Sequence, residues 1–256
     1  MNLVAFVNSF EKIVASTGNR VLVAPLNWGL GHVTRCIPII KALEKQQKTV
    51  FLASDGAALQ LLRAEFPNLM TFELPSYQIR YPSPNMVFHI LLQLPRIMKA
   101  MYCEHQETKS LSKKYGFDTI ISDNRYGCYV SGIHSILITH QLNIPFNQRL
   151  VQRTVKYLIR KLIQPFQELW IPDRVGADNL SGLLSHPIDF VHPPVKHLGV
   201  LSRMNPISLP IRYEVAIILS GPEPQRSILE QILLKQALIL DKRVVLVQGK
   251  TNVFNK

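Results

Sequence analysis

The strongest constraint on this chain is an alternation: compact apolar runs, several of them rich in β-branched residues, are separated by longer stretches whose apolar residues recur at helical intervals. The runs are Val21–Pro25, Thr49–Ala53, Met70–Leu74, Thr119–Ser122, Ser135–Thr139 and Glu168–Pro172. Between them, Val33–Leu43, Ala57–Ala64, Val87–Tyr115 and Val151–Ile163 carry the period of one helical face. Parallel strands need a crossover to return, and a helix is the usual one. The expectation is therefore an α/β protein with a doubly wound parallel sheet, preceded by an amphipathic helix over Leu3–Val14.

The same logic restarts near the end. Asn205–Pro210 reads as a linker, Glu214–Leu219 as a strand, Gln225–Leu240 as a helix and Val244–Val247 as a second strand. This divides the chain into an extension over 1–19, a Rossmann-like domain over 20–204 and a partial second domain over 205–256. An open-sheet domain normally needs ~100 residues or more, so the second is expected to be incomplete. Cys36, Cys103 and Cys128 have no close pairing or metal spacing, which argues against a disulfide framework. The opening has no basic start, and no apolar run reaches the ~18 residues of a membrane span, so a cytoplasmic protein is expected. The formal charge of +12 favours anionic partners. No zinc finger, helix-turn-helix or aromatic-basic RNA signature accompanies that charge, so nucleic acid is not expected.

The chemistry concentrates in Asn27-Trp28-Gly29-Leu30-Gly31-His32, where a strand feeds a glycine turn and a helix. Such a turn brings backbone N–H groups and a positive helix end to the carboxyl edge of the sheet. Gly29, Leu30 and Gly31 let a ligand approach, and His32 is the candidate general base, with helix capping as the structural alternative. Asp123, Asn124, Arg125 and Tyr126 follow one core strand, and His140 and Gln141 follow the next, so all six are candidates to line the cleft. For Asp123 and Arg125 the alternative is a local ion pair, and for His140 an interior histidine with its hydrogen bonds satisfied. The loop through Tyr77, Tyr81, Pro82 and Pro84 is expected to face a ligand or a partner.

Gly29, Gly31 and Asp55 partly fit a dinucleotide fingerprint, but Thr34 holds its third glycine position. A nicotinamide enzyme therefore ranks below a transferase. His186, His192 and His197 are interrupted by prolines and present no ligand face, and Ser185, His186 and Asp189 lack a nucleophile elbow. Arg149, Arg153, Lys156, Arg160 and Lys161 form the basic side of an amphipathic helix, suited either to an anionic membrane surface or to ordinary packing on the sheet.

The segment VLVAPLNWGLGHVTR, Val21–Arg35, resembles the amino-terminal signature of GT-B glycosyltransferases related to the N-acetylglucosaminyltransferase of lipid-linked peptidoglycan precursor synthesis. IISDNRYG at 120–127, ITHQL at 138–142, LSGLLSH at 180–186, LGVLSR at 198–203 and LSGPEPQR at 219–226 extend the resemblance. It implies two Rossmann-like domains and transfer of a sugar, with inversion and without a metal or other cofactor, from a nucleotide diphosphate donor, UDP-sugars first, to a hydroxyl acceptor. In that reading His32 deprotonates the acceptor, the Gly29–Gly31 backbone meets the sugar or diphosphate, and Gly221 with Arg226 helps hold the leaving group. A lipid-linked acceptor and peripheral contact with the inner face of the membrane are compatible with it. Such a donor domain normally continues beyond Lys256, so the resemblance leaves open a transferase inactive through truncation, and two further readings: a noncatalytic sugar-nucleotide or phosphate-binding module, and one subunit of a split transferase.

Overall fold

The computed structural model describes residues 10–78, 86–143, 148–176, 178–185, 193–204, 207–221 and 224–249. Residues 3–9 of the expected first helix, Tyr81, Pro82, Pro84, Asn205, His186, Asp189 and His192 lie outside the described residues. The chain divides into two compact units, Met1–Arg203 and Met204–Lys256.

The first unit runs from helical residues 10–15 (α1) through β1 (Arg20–Pro25), α2 (Leu30–Lys45), β2 (Thr49–Ser54), α3 (Gly56–Glu65) and β3 (Met70–Glu73). It continues with α4 (Met86–Tyr115), β4 (Thr119–Asp123), β5 (His134–Ile138), α5 (Arg149–Ile163), β6 (Glu168–Ile171) and β7 (Val195–His197). All seven strands form one parallel sheet in the order β3-β2-β1-β4-β5-β6-β7. The final strand was not expected from the sequence. Val-Lys-His is short, but Leu169 donates its N–H to Pro194 and Leu198 donates to Ile171, which docks the segment against β6.

Strand residues alternate between the two faces, as a pleated sheet requires. Val21, Val23, Val50, Leu52, Ile121, Ile136 and Ile138 pack with Cys36, Ile37, Ile40 and Leu43 of α2 and with Leu61 and Leu62 of α3. Leu22, Ala24, Phe51, Ala53 and Ile120 point to the other side, against Leu111 of α4. Burial on both faces explains why these strands are continuous apolar runs instead of polar-apolar alternations. Each buried Val, Leu or Ile contributes roughly 1.5–3 kcal/mol, so this double cover stabilises the platform on which the loops sit.

The second unit contains β8 (Val215–Ile218), α6 (Gln225–Leu238) and β9 (Val244–Val247), with the two strands parallel and in register from Val215 opposite Val244. It is a βαβ element, as the strand-helix-strand pattern predicts.

Candidate functional site

The strand order reverses direction between β1 and β4, and open α/β sheets bind ligands outside the carboxyl ends of the strands at such a switch point. Here Pro25 ends β1 directly opposite Asp123, the last residue of β4, and Leu26 donates its N–H to the Asp123 carbonyl at 3.0 Å. The chain then turns through Gly29, whose φ of 76° is one that glycine adopts without strain, and α2 starts at once. The helix begins three residues earlier than its apolar period suggests. His32 therefore sits inside the first helical turn, with Arg35 on the same face three residues later.

This placement brings both side chains onto the Asp123 carboxylate, which is fully buried. His32 Nδ1 lies 3.0 Å from Asp123 Oδ1. Arg35 donates from Nε to Asp123 Oδ2 at 2.6 Å and from a terminal nitrogen to Oδ1, a bidentate pair. The Cys36 thiol adds a weak hydrogen bond to Oδ2 at 3.6 Å. Burial by itself pushes the Asp123 carboxyl up, but Arg35 and His32 outweigh it and hold the group below the usual carboxylate range. The remaining Arg35 nitrogen donates to His140 Nδ1 at 3.0 Å, and burial together with Arg35 and His32 lowers the pKa of His140, keeping it neutral.

Beside this cluster opens an apolar cavity of about 380 Å³. Leu26 and Trp28 line it from the β1 turn, Asn124 and Tyr126 from the segment after Asp123, and Gln141 from the segment after β5. Ile97, Met98 and Met101 of α4 and Leu158, Lys161 and Leu162 of α5 complete the walls. Gly29 and Gly31 are exposed at the start of α2, and a Cβ added to either would meet no atom within 4 Å. That helix end has no acidic residue in its first turn and no side-chain cap, which leaves its backbone N–H groups to a ligand.

The structure places several expected ligand residues elsewhere. Arg125 does not line the cleft: it is fully buried, paired with Asp55 and with Glu104 at 2.5 Å, and it donates to the Pro25 and Pro75 carbonyls. Its charge is spent locally, as in the ion-pair alternative. Asp123 likewise turns its carboxylate to His32 and Arg35 instead of to a ligand. Asp55, the acid required by the dinucleotide reading, is occupied by Arg125 and by the Asn27 amide at 3.1 Å, so it has no carboxylate to offer a ribose. In the second unit Arg226 is buried against Glu230 at 2.7 Å and the Gln248 carbonyl at 3.1 Å, facing into its own βαβ element, while Gly221 is exposed at the end of β8 with φ 116°. Tyr77 is buried, donates to Glu104 at 2.7 Å and lies at the edge of the cavity.

Two residues of the site were not singled out from the sequence. Arg35 was visible only as the i+3 neighbour of His32. Asp173 follows β6 as Asp123 closes β4, and with Arg35, His140 and Ser181 it borders a second cavity of about 410 Å³. Burial raises the Asp173 pKa, but donors from Ser181 and the backbone N–H groups of Leu180, Ser181 and Arg174 outweigh that and hold it well below the ordinary range. A depressed carboxyl stabilises the fold above its unfolded pKa of about 3.9, and that contribution fades as pH falls below it. Asp173→Asn should therefore lower the urea midpoint at neutral pH, and the gap from wild type should shrink as pH drops below about 3.9.

All three cysteines are free, with Cys36 and Cys128 buried and Cys103 exposed. Among the described residues no His, Cys, Asp and Glu grouping is arranged to hold a metal, and no helix is long and apolar enough to cross a membrane.

With this geometry in view, the fold has clear counterparts among solved structures. SnogD, a glycosyltransferase from Streptomyces nogalater, matches with a TM-score of 0.57 at 11% identity, over 93% of this chain and 70% of that one. SsfS6, a glycosyltransferase from Streptomyces sp. SF2575, gives a TM-score of 0.54 at 13% identity, over 90% and 68%. UGT2 of Phytolacca americana, complexed with UDP-2fluoro-glucose and pterostilbene, gives 0.52 at 15%, over 90% and 71%. The chain therefore has the GT-B glycosyltransferase fold, with the seven-stranded sheet as its Rossmann-like amino-terminal half. No protein-family model and no curated protein matches the sequence.

Proposed function

We propose that this chain serves a glycosyltransferase reaction, moving a sugar from a nucleotide diphosphate donor to a hydroxyl group on a largely apolar acceptor. The observation that carries this is the His32–Asp123 pair at the switch point, with Asn124, the residue after Asp123, in the wall of the apolar cavity. His32 Nε2 takes the proton of the acceptor hydroxyl as its oxygen attacks the anomeric carbon. The bond from that carbon to the diphosphate breaks on the opposite face, which inverts the centre and leaves a nucleoside diphosphate. Asp123 accepts a hydrogen bond from the Nδ1–H and stabilises the imidazolium that forms. No step in this sequence calls on a metal ion. The open N-terminus of α2 at Gly29–Gly31 is assigned to the diphosphate, whose negative charge suits exposed N–H groups.

The donor class draws support from the neighbours, one complexed with UDP-2fluoro-glucose and SsfS6 also complexed with thymidine diphosphate. The acceptor class rests on the cavity, whose lining includes exposed Met98, Leu158 and Leu162 beside Lys161 and the basic side of α5. That combination fits an amphiphilic or lipid-linked hydroxyl compound met at a membrane surface on the cytoplasmic side.

The test is transfer, followed by mass spectrometry, from UDP- and TDP-sugars to phenols, apolar alcohols and a lipid-linked sugar, with NAD binding measured alongside. A glycosylated product is the expected result. Sugar-nucleotide binding without transfer to any acceptor would instead identify a noncatalytic module or one part of a split enzyme, and binding of NAD alone would overturn the reading.

A further inference from the structure

We propose that Arg35 is a positioning residue that sets which nitrogen of His32 carries the proton, and that in the resting chain it keeps that proton on Nε2. The inference rests on His32 being the base of the proposed transfer. It follows from a hydrogen-bond conflict at one atom. His32 Nδ1 lies 2.7 Å from a terminal nitrogen of Arg35 and 3.0 Å from Asp123 Oδ1. A guanidinium only donates and an ionised carboxylate only accepts. A neutral imidazole nitrogen therefore answers one of the two: unprotonated, it accepts from Arg35, and protonated, it donates to Asp123.

Three observations favour Arg35 in the resting state. The Arg35 contact is the shorter of the two. Both Asp123 oxygens are already occupied by Arg35, with Cys36 on the second, so the carboxylate does not depend on His32 for a partner. The same guanidinium also donates to His140 Nδ1 at 3.0 Å, so it bridges the two imidazoles. The charged or titratable groups around His32 and Arg35 are thus Asp123 from β4, Cys36 from α2, Tyr126 and His140 from the segments after β4 and β5, and Asp173 after β6, across the second cavity.

The consequence is a masked base. With Nδ1 accepting from Arg35, Nε2 carries hydrogen and has no lone pair for an acceptor hydroxyl. When the guanidinium releases Nδ1, the ring gives up its Nε2 proton to water and takes one from water at Nδ1, where Asp123 Oδ1 accepts the Nδ1–H hydrogen bond, and Nε2 becomes the basic nitrogen. Arg35 borders the second cavity, which leaves open space beside the guanidinium into which it can withdraw.

The tautomer is read directly by two-bond ¹H–¹⁵N correlation spectra of the labelled full chain near pH 8. The His32 signals are those lost in His32→Ala. In the wild type the Nδ1 resonance is expected at the unprotonated position and Nε2 at the protonated one. In Arg35→Met, which has no donor, the two should exchange. If that variant does not fold, Arg35→Lys replaces it, because an ammonium engaged on Asp123 lacks the planar fork that also reaches Nδ1. A protonated Nδ1 in the wild type, or one tautomer in wild type and variant alike, overturns the proposal. The spectra need no substrate, so this outcome is separate from the fate of the transfer reading, which falls if His32→Ala retains full activity.

Discussion

His32→Ala is expected to lower the maximal transfer rate by ~10²- to 10⁴-fold while leaving nucleoside diphosphate affinity nearly unchanged, since a positioned general base contributes about that much. The substitution isolates the chemistry well. Alanine is the best helix former, so the first turn of α2 survives, and the small side chain leaves Arg35 and Asp123 paired with one another. Asp123→Asn would be harder to interpret, because it also leaves the Arg35 guanidinium without its carboxylate in a buried site and destabilises the fold. Steady-state kinetics at saturating acceptor, with calorimetric titration of the nucleoside diphosphate, separates the two quantities. A rate within a few-fold of wild type would remove His32 from the mechanism. A parallel loss of nucleotide affinity would place it in binding instead of proton transfer.

Most of the sheet was legible because its strands are buried on both faces, and such strands appear as uninterrupted β-branched runs. β9 matches its expected bounds, and β1, β4 and β6 match to within one residue at each end. β7 escaped notice since three residues, Val-Lys-His, carry no period; the strand exists because its neighbours supply the ladder. The location of the site was also readable, because Gly29–Gly31, Asp123 and His140 each follow a strand and must share the carboxyl edge. Which of those side chains face a ligand was not readable. Asp123 and Arg125 stand two residues apart at the end of the same strand, yet one pairs with His32 and Arg35 and the other enters a separate buried network. The choice depends on residues 21 to 88 positions away, Arg35 and Glu104, whose proximity only the folded chain reveals.

That second network sets the other large effect. Arg125→Met is expected to cost about 3–5 kcal/mol of stability, measured as a lower urea midpoint with little change in slope. Arg125 is fully buried and joins four parts of the carboxyl edge. It reaches Pro25 at the end of β1, Asp55 after β2, Pro75 after β3 and Glu104 on α4. Burial opposes the charge on Arg125, but Glu104 and Asp55 outweigh it and keep the guanidinium protonated. Without it, two carboxylates remain in a space that excludes water, and an unpaired buried charge costs more than the intact pair contributes. Glu104 also accepts from Tyr77 and from the Gly127 N–H, so its displacement would move the cavity wall at Tyr77 and the segment that carries Asn124 and Tyr126. The double variant Arg125→Met with Glu104→Gln should recover part of the loss, because removing the second charge relieves what the first substitution exposes. Additive losses in the two variants would mean that Arg125 acts through packing alone, and that the ion pairs do not hold the edge together.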